Sequence, residues 1–270
     1  MEKKKYCLVT GATGGLGSAF ARKLIKENKN LIITGTKQEK LDAIKVELES
    51  INGNVCVETF ECDLSSEQSR KKFFDYILEQ KFELEMLVNN AGYITEGAVA
   101  EVSKDSLMSA IRVNCEGTVD LTKFVVDNHT DGEKLNILTV ASLAGFYPMP
   151  YMAIYAATKS FLLSFMTALR VEVKNKNIIV STVVPSGIYT TKAMKDAIAS
   201  QGVGGKLSSM SPEKIASIAL CGAKKGKSII IPGCFNKFTK FVSNFATYNG
   251  LAKVVGKRWR KSQKKRNMVK

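Results

Sequence analysis

Tyr6-Cys7-Leu8-Val9-Thr10-Gly11-Ala12-Thr13-Gly14-Gly15-Leu16-Gly17 begins apolar and ends in glycine. Its first five residues form a short, partly β-branched run, the pattern of a buried strand. Ser18 to Glu27 then sets Phe20, Leu24 and Ile25 at helical spacing. A strand, a glycine loop and a helix in that order suit a bound pyrophosphate. The glycines admit close backbone approach, and the helix start offers unpaired N–H groups and the positive end of its dipole.

The same rhythm continues outward. Leu31-Ile32-Ile33-Thr34-Gly35 reads as a second strand and Val55 to Phe60 as a third, with Leu41, Ile44 and Leu48 on the helix between them. Asp63-Leu64 follows, then a helix to about Gln80 with Phe73, Phe74 and Ile77 inward. Met86-Leu87-Val88 is a fourth strand. It ends in Asn89-Asn90-Ala91-Gly92, small residues that suit a ligand at the carboxyl edge of an open sheet. Val102 to Asn128 reads as one long helix. Asn114 lies inside it, where an amide is mildly unfavourable and either has a task or is an exposed or capping group.

Leu135 to Val140 and Ile178 to Val184 are strands five and six, the first delivering Ser142 and the second stopped by Pro185. Ile188 to Ser211 is glycine-rich and irregular in period, so it reads as a long loop serving as a lid. Ser211 and Pro212 open another helix, and Ser228 to Ile231 is the last strand. Seven strands alternating with helices predict one α/β domain over residues 1–233, a doubly wound seven-stranded parallel sheet. A basic tail occupies 234–270.

Tyr155 and Lys159 stand four apart on a helix read over Ile154 to Val173, so their side chains are neighbours. A free tyrosine titrates near ~10, and a cation within a few ångströms lowers that value. The pair is therefore a candidate proton-transfer couple; an ordinary solvated helix face is the plainer alternative. Ser142, thirteen residues upstream of Tyr155, is placed to address the same substrate oxygen. Thr36 and Lys37 follow the second strand, where a site preferring NAD usually carries an acid. Thr36 leaves room for a 2′-phosphate and Lys37 is placed to pair with it, unless Lys37 simply opens the next solvated helix. Asp63 has two readings as well, an acceptor for the adenine amine or a cap for the helix starting near Ser65.

Composition removes several classes. Hydrophobic residues make up 45% and charged residues 24% of 270, an ordinary globular balance. No apolar run approaches the ~18 residues of a spanning helix, and Tyr6 to Thr10 is too short for a secretory signal. Six cysteines without CxxC spacing and a single histidine argue against a metal site. The cysteines read as reduced thiols of a cytoplasmic protein. His129 sits in a polar stretch and reads as a surface-loop residue, which leaves no Ser-His-Asp hydrolase.

Together these pieces resemble the short-chain dehydrogenase/reductase family. The matching residues are Thr10-Gly11-x-x-x-Gly15-x-Gly17, Asn89-Asn90-Ala91-Gly92, Asn114, Ser142, Tyr155-x-x-x-Lys159 and the Pro185 segment with Thr190, collinear from residue 6 to about 233. The resemblance implies a Rossmann fold, a nicotinamide cofactor, and hydride exchange between a carbonyl and an alcohol. NADP is favoured over NAD by Thr36 and Lys37.

By position, the resemblance makes Tyr155 the general acid/base, Lys159 its modulator and the holder of the nicotinamide ribose, Ser142 the group orienting the carbonyl, and Asn114 part of a proton relay. Cofactor contacts implied at the first two strand ends are Gly11, Thr13, Gly14, Gly15, Leu16, Gly17, Thr36 and Lys37. Asp63, Leu64, Asn90, Ala91, Gly92 and Asn114 follow, then Tyr155, Lys159, Pro185, Gly187, Ile188 and Thr190. The helices Val102–Asn128 and Tyr155–Val173 would form the contact of a homodimer or homotetramer. One departure is Ser186, where the family usually has glycine directly after the proline. The rival reading is a catalytically silent dinucleotide-binding sensor or a membrane-recruited scaffold on the same fold. It is disfavoured because all four catalytic positions carry competent residues.

The net charge of +15 belongs to the end of the chain. Beyond Glu213 there are 15 basic residues and no acid, which leaves 25 basic residues to balance the 25 acids before it. Phe235, Phe238, Phe241, Val242 and Phe245 recur at helical spacing. After Gly250, Leu251, Val254, Val255 and Trp259 do the same, with Lys253, Lys257, Arg260 and Lys264 on another face. Two short amphipathic helices with this composition suit an anionic membrane surface, which would make the protein peripheral at the inner face of a membrane. Packing on the protein's own core or on a second subunit is the alternative. Nucleic acid is the least favoured partner, since no binding motif accompanies the charge. A small-molecule carbonyl or alcohol of fairly apolar character is the expected substrate.

Overall fold

The strands of this protein are apolar on both faces, so they need a helical layer on each side. In the first strand, Cys7 and Val9 face one layer while Tyr6 and Leu8 face the other. The computed structural model describes residues 4–267, with side-chain surroundings as far as Lys261 except at Ala193. Residues 1–3 and 268–270 and the side chain of Lys264 lie outside the described residues.

The first half of the chain runs β1 (Lys5–Val9), α1 (Gly15–Ile25), β2 (Asn30–Gly35), α2 (Gln38–Ile51), β3 (Val57–Glu61), α3 (Glu67–Glu79), β4 (Glu83–Asn89), α4 (Lys104–Ile111) and α5 (Gly117–Asp127). It continues through β5 (Leu135–Val140), α6 (Ala153–Glu172), β6 (Ile178–Val183), α7 (Lys192–Ser200), α8 (Gly202–Ser208), α9 (Pro212–Lys224), β7 (Ile229–Ile230), α10 (Cys234–Ser243) and α11 (Tyr248–Asn267).

All seven strands are parallel, in the order β3-β2-β1-β4-β5-β6-β7. Helices α1, α2 and α9 bury Phe20, Leu41 and Ile215 on one face, and α3, α5 and α6 bury Phe73, Leu121 and Met166 on the other. The expected doubly wound sheet is therefore present. The direction in which successive strands are added across the sheet reverses between β1 and β4, and the crevice at their carboxyl ends is where such sheets bind ligands.

Four local expectations are corrected. The span 188–211 is not an irregular loop: it holds α7 and α8. Two of the glycines that hid the period have structural tasks. Gly202 breaks the two helices at φ +70°, and a Cβ on Gly205 would lie 2.5 Å from Ile198 O. The single helix over 102–128 is interrupted by a π turn at Arg112–Glu116 that contains Asn114. The cap of α3 is Ser66, whose side chain accepts from Ser69 N–H, rather than Asp63. In the tail, the second helix starts before Gly250 and is a long one, α11.

Among the described residues no helix is long and apolar enough to cross a membrane, and no group of three or more His, Cys, Asp or Glu is positioned to hold a metal. His129 is half-buried in the loop leading to β5, at the sheet edge opposite Ser142.

Candidate active site

The glycine loop after β1 is locked against the end of β4. Gly11 adopts φ +62°, which a side chain disfavours, and a Cβ there would lie 2.9 Å from Ala91 Cα. Thr10 Oγ1 accepts from the N–H groups of Asn90 and Ala91, both at 3.0 Å, and Asn90 Nδ2 donates to Thr10 O at 2.9 Å. A Cβ on Gly17 would run into Gly11 O, and one on Gly15 would lie 2.7 Å from Thr190 Cγ2. Gly14 caps α1 without any side-chain bond. The first N–H groups of α1 therefore keep no side-chain partner, and a cradle of backbone is left that any larger residue would fill. These features fit the pyrophosphate of a dinucleotide.

At the end of β2, Thr13 covers Gly35, while Thr36 and Lys37 are exposed. An acid does reach this corner, and it was invisible in the local sequence. Glu61, paired with Gly35 across the sheet, accepts from the Gln38 N–H through Oε2 at 2.8 Å and so caps α2. Asp63 Oδ1 accepts from Ser65 N–H and Ser65 Oγ at 2.8 and 2.7 Å. Leu64 is buried, its carbonyl held by Arg70 Nη1 at 2.8 Å.

Strand β5 and helix α6 deliver the candidate chemistry to the same edge. Ser142 is buried, accepts from Ala144 N–H at 3.2 Å, and points its hydroxyl to Pro185 O at 3.5 Å. Gly145 makes this possible: a Cβ there would lie 2.7 Å from the Lys159 carbonyl carbon. The turn carrying Ser142 thus seats directly on α6 beside Tyr155.

Lys159 is 4% exposed and its Nζ donates to Val140 O at 2.8 Å. Asn114 is fully buried in the π turn. Its Oδ1 accepts from Tyr93 N–H at 2.7 Å, and its Nδ2 donates to Tyr93 O and to Thr158 Oγ1 at 2.9 and 3.0 Å. A Cβ on Gly92 would sit 3.5 Å from both Asn114 Oδ1 and Lys159 Nζ, so these two groups flank one point.

The electrostatics differ from the expectation. Burial pushes the Tyr155 phenol above the usual tyrosine value, with a hydrogen bond to Ser142 opposing that rise. The Lys159 ammonium lies 5.9 Å from the ring centroid, and burial lowers its own pKa to about 8. Tyr155 is thus a protonated acid at neutral pH, and the serine is the group that eases its ionisation.

The departure at Ser186 is accommodated by the backbone. It is not among the residues with positive φ, so serine is unstrained there. The indispensable glycine is Gly187, whose Cβ would collide with Ser209 Oγ. Ile188 bridges to Met210, which sets Thr190 against the cradle. Sequence reading missed Gly145, Thr158 and Glu61, and gave Thr10 no task. None has a spacing signal, because each acts on a residue distant in the chain.

A dinucleotide-type α/β sheet with a tyrosine, a lysine and a serine converging at its carboxyl edge defines an oxidoreductase class. Residues 5–202 match the short chain dehydrogenase family. The chain belongs to that family. It is 33% identical over 196 residues to the very-long-chain 3-oxoacyl-CoA reductase of Neurospora crassa, a match covering 72% of this chain and 59% of that protein. The match thus spans less than two thirds of that relative's length.

Among solved structures, a 7β-hydroxysteroid dehydrogenase superposes with TM-score 0.80 at 19% identity, over 93% of this chain and 96% of that one. A short-chain dehydrogenase from Sphingobium yanoikuyae in complex with NADPH gives 0.72 at 22%, over 90% and 96%. These two likenesses concern the fold.

Proposed function

We propose that this protein is an NADP-dependent reductase of a ketone or aldehyde set in a fairly apolar molecule. The observation that carries the proposal is the convergence of two sets of residues at one sheet edge. The glycine cradle of β1 and β4 meets Asn114 and Lys159 at Gly92 and Thr190 at Gly15, and Tyr155, hydrogen-bonded to Ser142, shares α6 with Lys159. The cradle residues Gly11 to Gly17 and Asn90 to Gly92 would hold the diphosphate and adenosine ribose. Asp63 and Leu64 would border the adenine, and Pro185 to Thr190 would border the nicotinamide. When bound, a reduced nicotinamide supplies the hydride.

The chain's own residues do the rest. Ser142 donates a hydrogen bond to the carbonyl oxygen and fixes its position. Tyr155, held protonated by burial, gives its proton to that oxygen as negative charge develops there. Lys159 supplies positive charge beside the ribose, and Asn114 orders the backbone of Tyr93 and the Thr158 hydroxyl along a route for replacing the proton. Phe146, Tyr147, Met149 and Tyr151 supply the apolar wall over the substrate.

Lys37 would pair with a 2′-phosphate, and Glu61 opposes it unless its carboxylate stays committed to capping α2. Lys37→Ala is expected to cut the preference for NADPH over NADH roughly tenfold, the size of one charge-assisted hydrogen bond. Equal affinities in wild type and variant would remove the NADP assignment. The substrate is sought by following absorbance of the reduced cofactor with a panel holding a long-chain 3-oxoacyl thioester, a steroid ketone and a small ketone. Faster oxidation with the small ketone than with the other two would contradict the apolar class. Pairing of α4, α5 and α6 with a second copy completes the proposed assembly, tested by sedimentation equilibrium; a monomer at all concentrations rejects it.

A further inference from the structure

Helix α10 is mounted inside out. Its inward side is polar: Asn236 is buried, and its Nδ2 donates to Ser208 O and Pro232 O at 2.9 and 2.8 Å. Lys240 also turns inward, its Nζ lying 4.6 Å from the centroid of the Phe146 ring. The outward side carries the aromatic rings. Phe238, Phe241 and Phe245 are 63%, 60% and 79% exposed, and Val242 and Tyr248 are exposed beside them. Phe238 and Phe241 lie on α10 and Phe245 in the turn that follows it, where its ring meets Phe241 edge-on at 5.3 Å between centroids, so the rings form one continuous patch. A water-facing helix does the reverse, and a contiguous apolar face of this kind marks a contact with something apolar.

Charge selects the occupant. No acid follows Glu213, and Lys237, Lys253 and Lys257 are exposed on α10 and α11. A second copy applied to this face would set one uncompensated basic surface against another. An anionic lipid surface accepts both features together, the rings at the headgroup–acyl boundary and the lysines among the headgroups. We propose that α10 and the adjoining part of α11 are a docking face for an anionic bilayer, with Phe238, Phe241 and Phe245 as the inserted side chains. The contact of Lys240 with Phe146 sets the inward side of α10 on the turn that follows Ser142. The proposal does not depend on the reductase reading, and its test uses no turnover.

The test is co-sedimentation of the full chain with phosphatidylcholine vesicles, with and without phosphatidylserine. Wild type is expected to pellet with the anionic vesicles and much less with the neutral ones, and to be released by salt. The triple variant Phe238→Ser/Phe241→Ser/Phe245→Ser is expected to lose binding about tenfold or more, since each exposed ring contributes apolar area only on insertion. It should keep its circular dichroism and melting temperature, because the rings make little of the core. Wild type that ignores anionic vesicles would overturn the proposal, as would a triple variant that binds undiminished. A wild-type dimer that the triple substitution dissolves, without vesicle binding, would give the face to a second copy and overturn it too.

Discussion

Helices α6 and α10 break the amphipathic rule in opposite directions. In α6 the apolar residues Leu162, Met166 and Leu169 face the core, and a lysine is buried with them. In α10 an asparagine is buried and the phenylalanines face out. Burying an ammonium is costly unless its hydrogen bonds are met, and Lys159 meets one on Val140 O. The fold accepts that cost at the sheet edge where the proposed chemistry sits. Exposing a stripe of rings is unfavourable in water alone, and α10 does so where the chain has no acid. Both proposals therefore rest on the exceptions rather than on the well-behaved helices.

The comparison can be broken at α6 first. Lys159→Met should cut ketone reduction about 10²-fold, the lower end of what a residue serving acid–base catalysis contributes. It should leave the melting temperature unchanged or higher, because a buried charge is removed. Lost turnover together with a large loss of stability would make Lys159 merely structural, and full turnover would discard its role.

The pH profile gives a smaller effect. Burial lowers Lys159 to about 8, so its charge is present below that pH and is lost as pH rises through it. Tyr155 is raised and keeps its proton longer. Reduction should therefore be level near neutrality and decline above about pH 8, and Lys159→Met should lack that decline. The same shift bears on stability. The folded pKa lies below the unfolded one, so charging Lys159 opposes folding, and its contribution improves from about pH 8 upward.

At α10 the expected effect on chemistry is nil. Phe238→Ser/Phe241→Ser/Phe245→Ser should reduce a water-soluble ketone at the wild-type rate. A changed rate would mean that the stripe belongs to the active site rather than to a docking face.

Much of this was legible in the chain itself. The positions of the strands follow from apolar runs and turn residues, and the catalytic candidates from spacing, because Tyr155-x-x-x-Lys159 and the glycine loop are local patterns. What local pattern could not show was contact between distant segments. Gly205 looked like disorder of period until Ile198 was seen against it. Glu61 has no local signal, because only sheet register sets it beside the end of β2. Spacing implied a tyrosine acidified by its lysine, whereas burial, a property of the packed fold, raises the tyrosine and lowers the lysine. The phenylalanine stripe of α10 was plain in sequence, but only the fold shows which way it faces.

The central claim is that Tyr155 delivers the proton while a reduced nicotinamide delivers the hydride. It is tested most directly by titrating wild type and Tyr155→Phe with NADPH by fluorescence and then following cofactor oxidation with an apolar ketone. The account predicts equal NADPH binding by both proteins and turnover lower by about 10²-fold or more in the variant. Equal turnover by both, or no NADPH binding by the wild type, would contradict it.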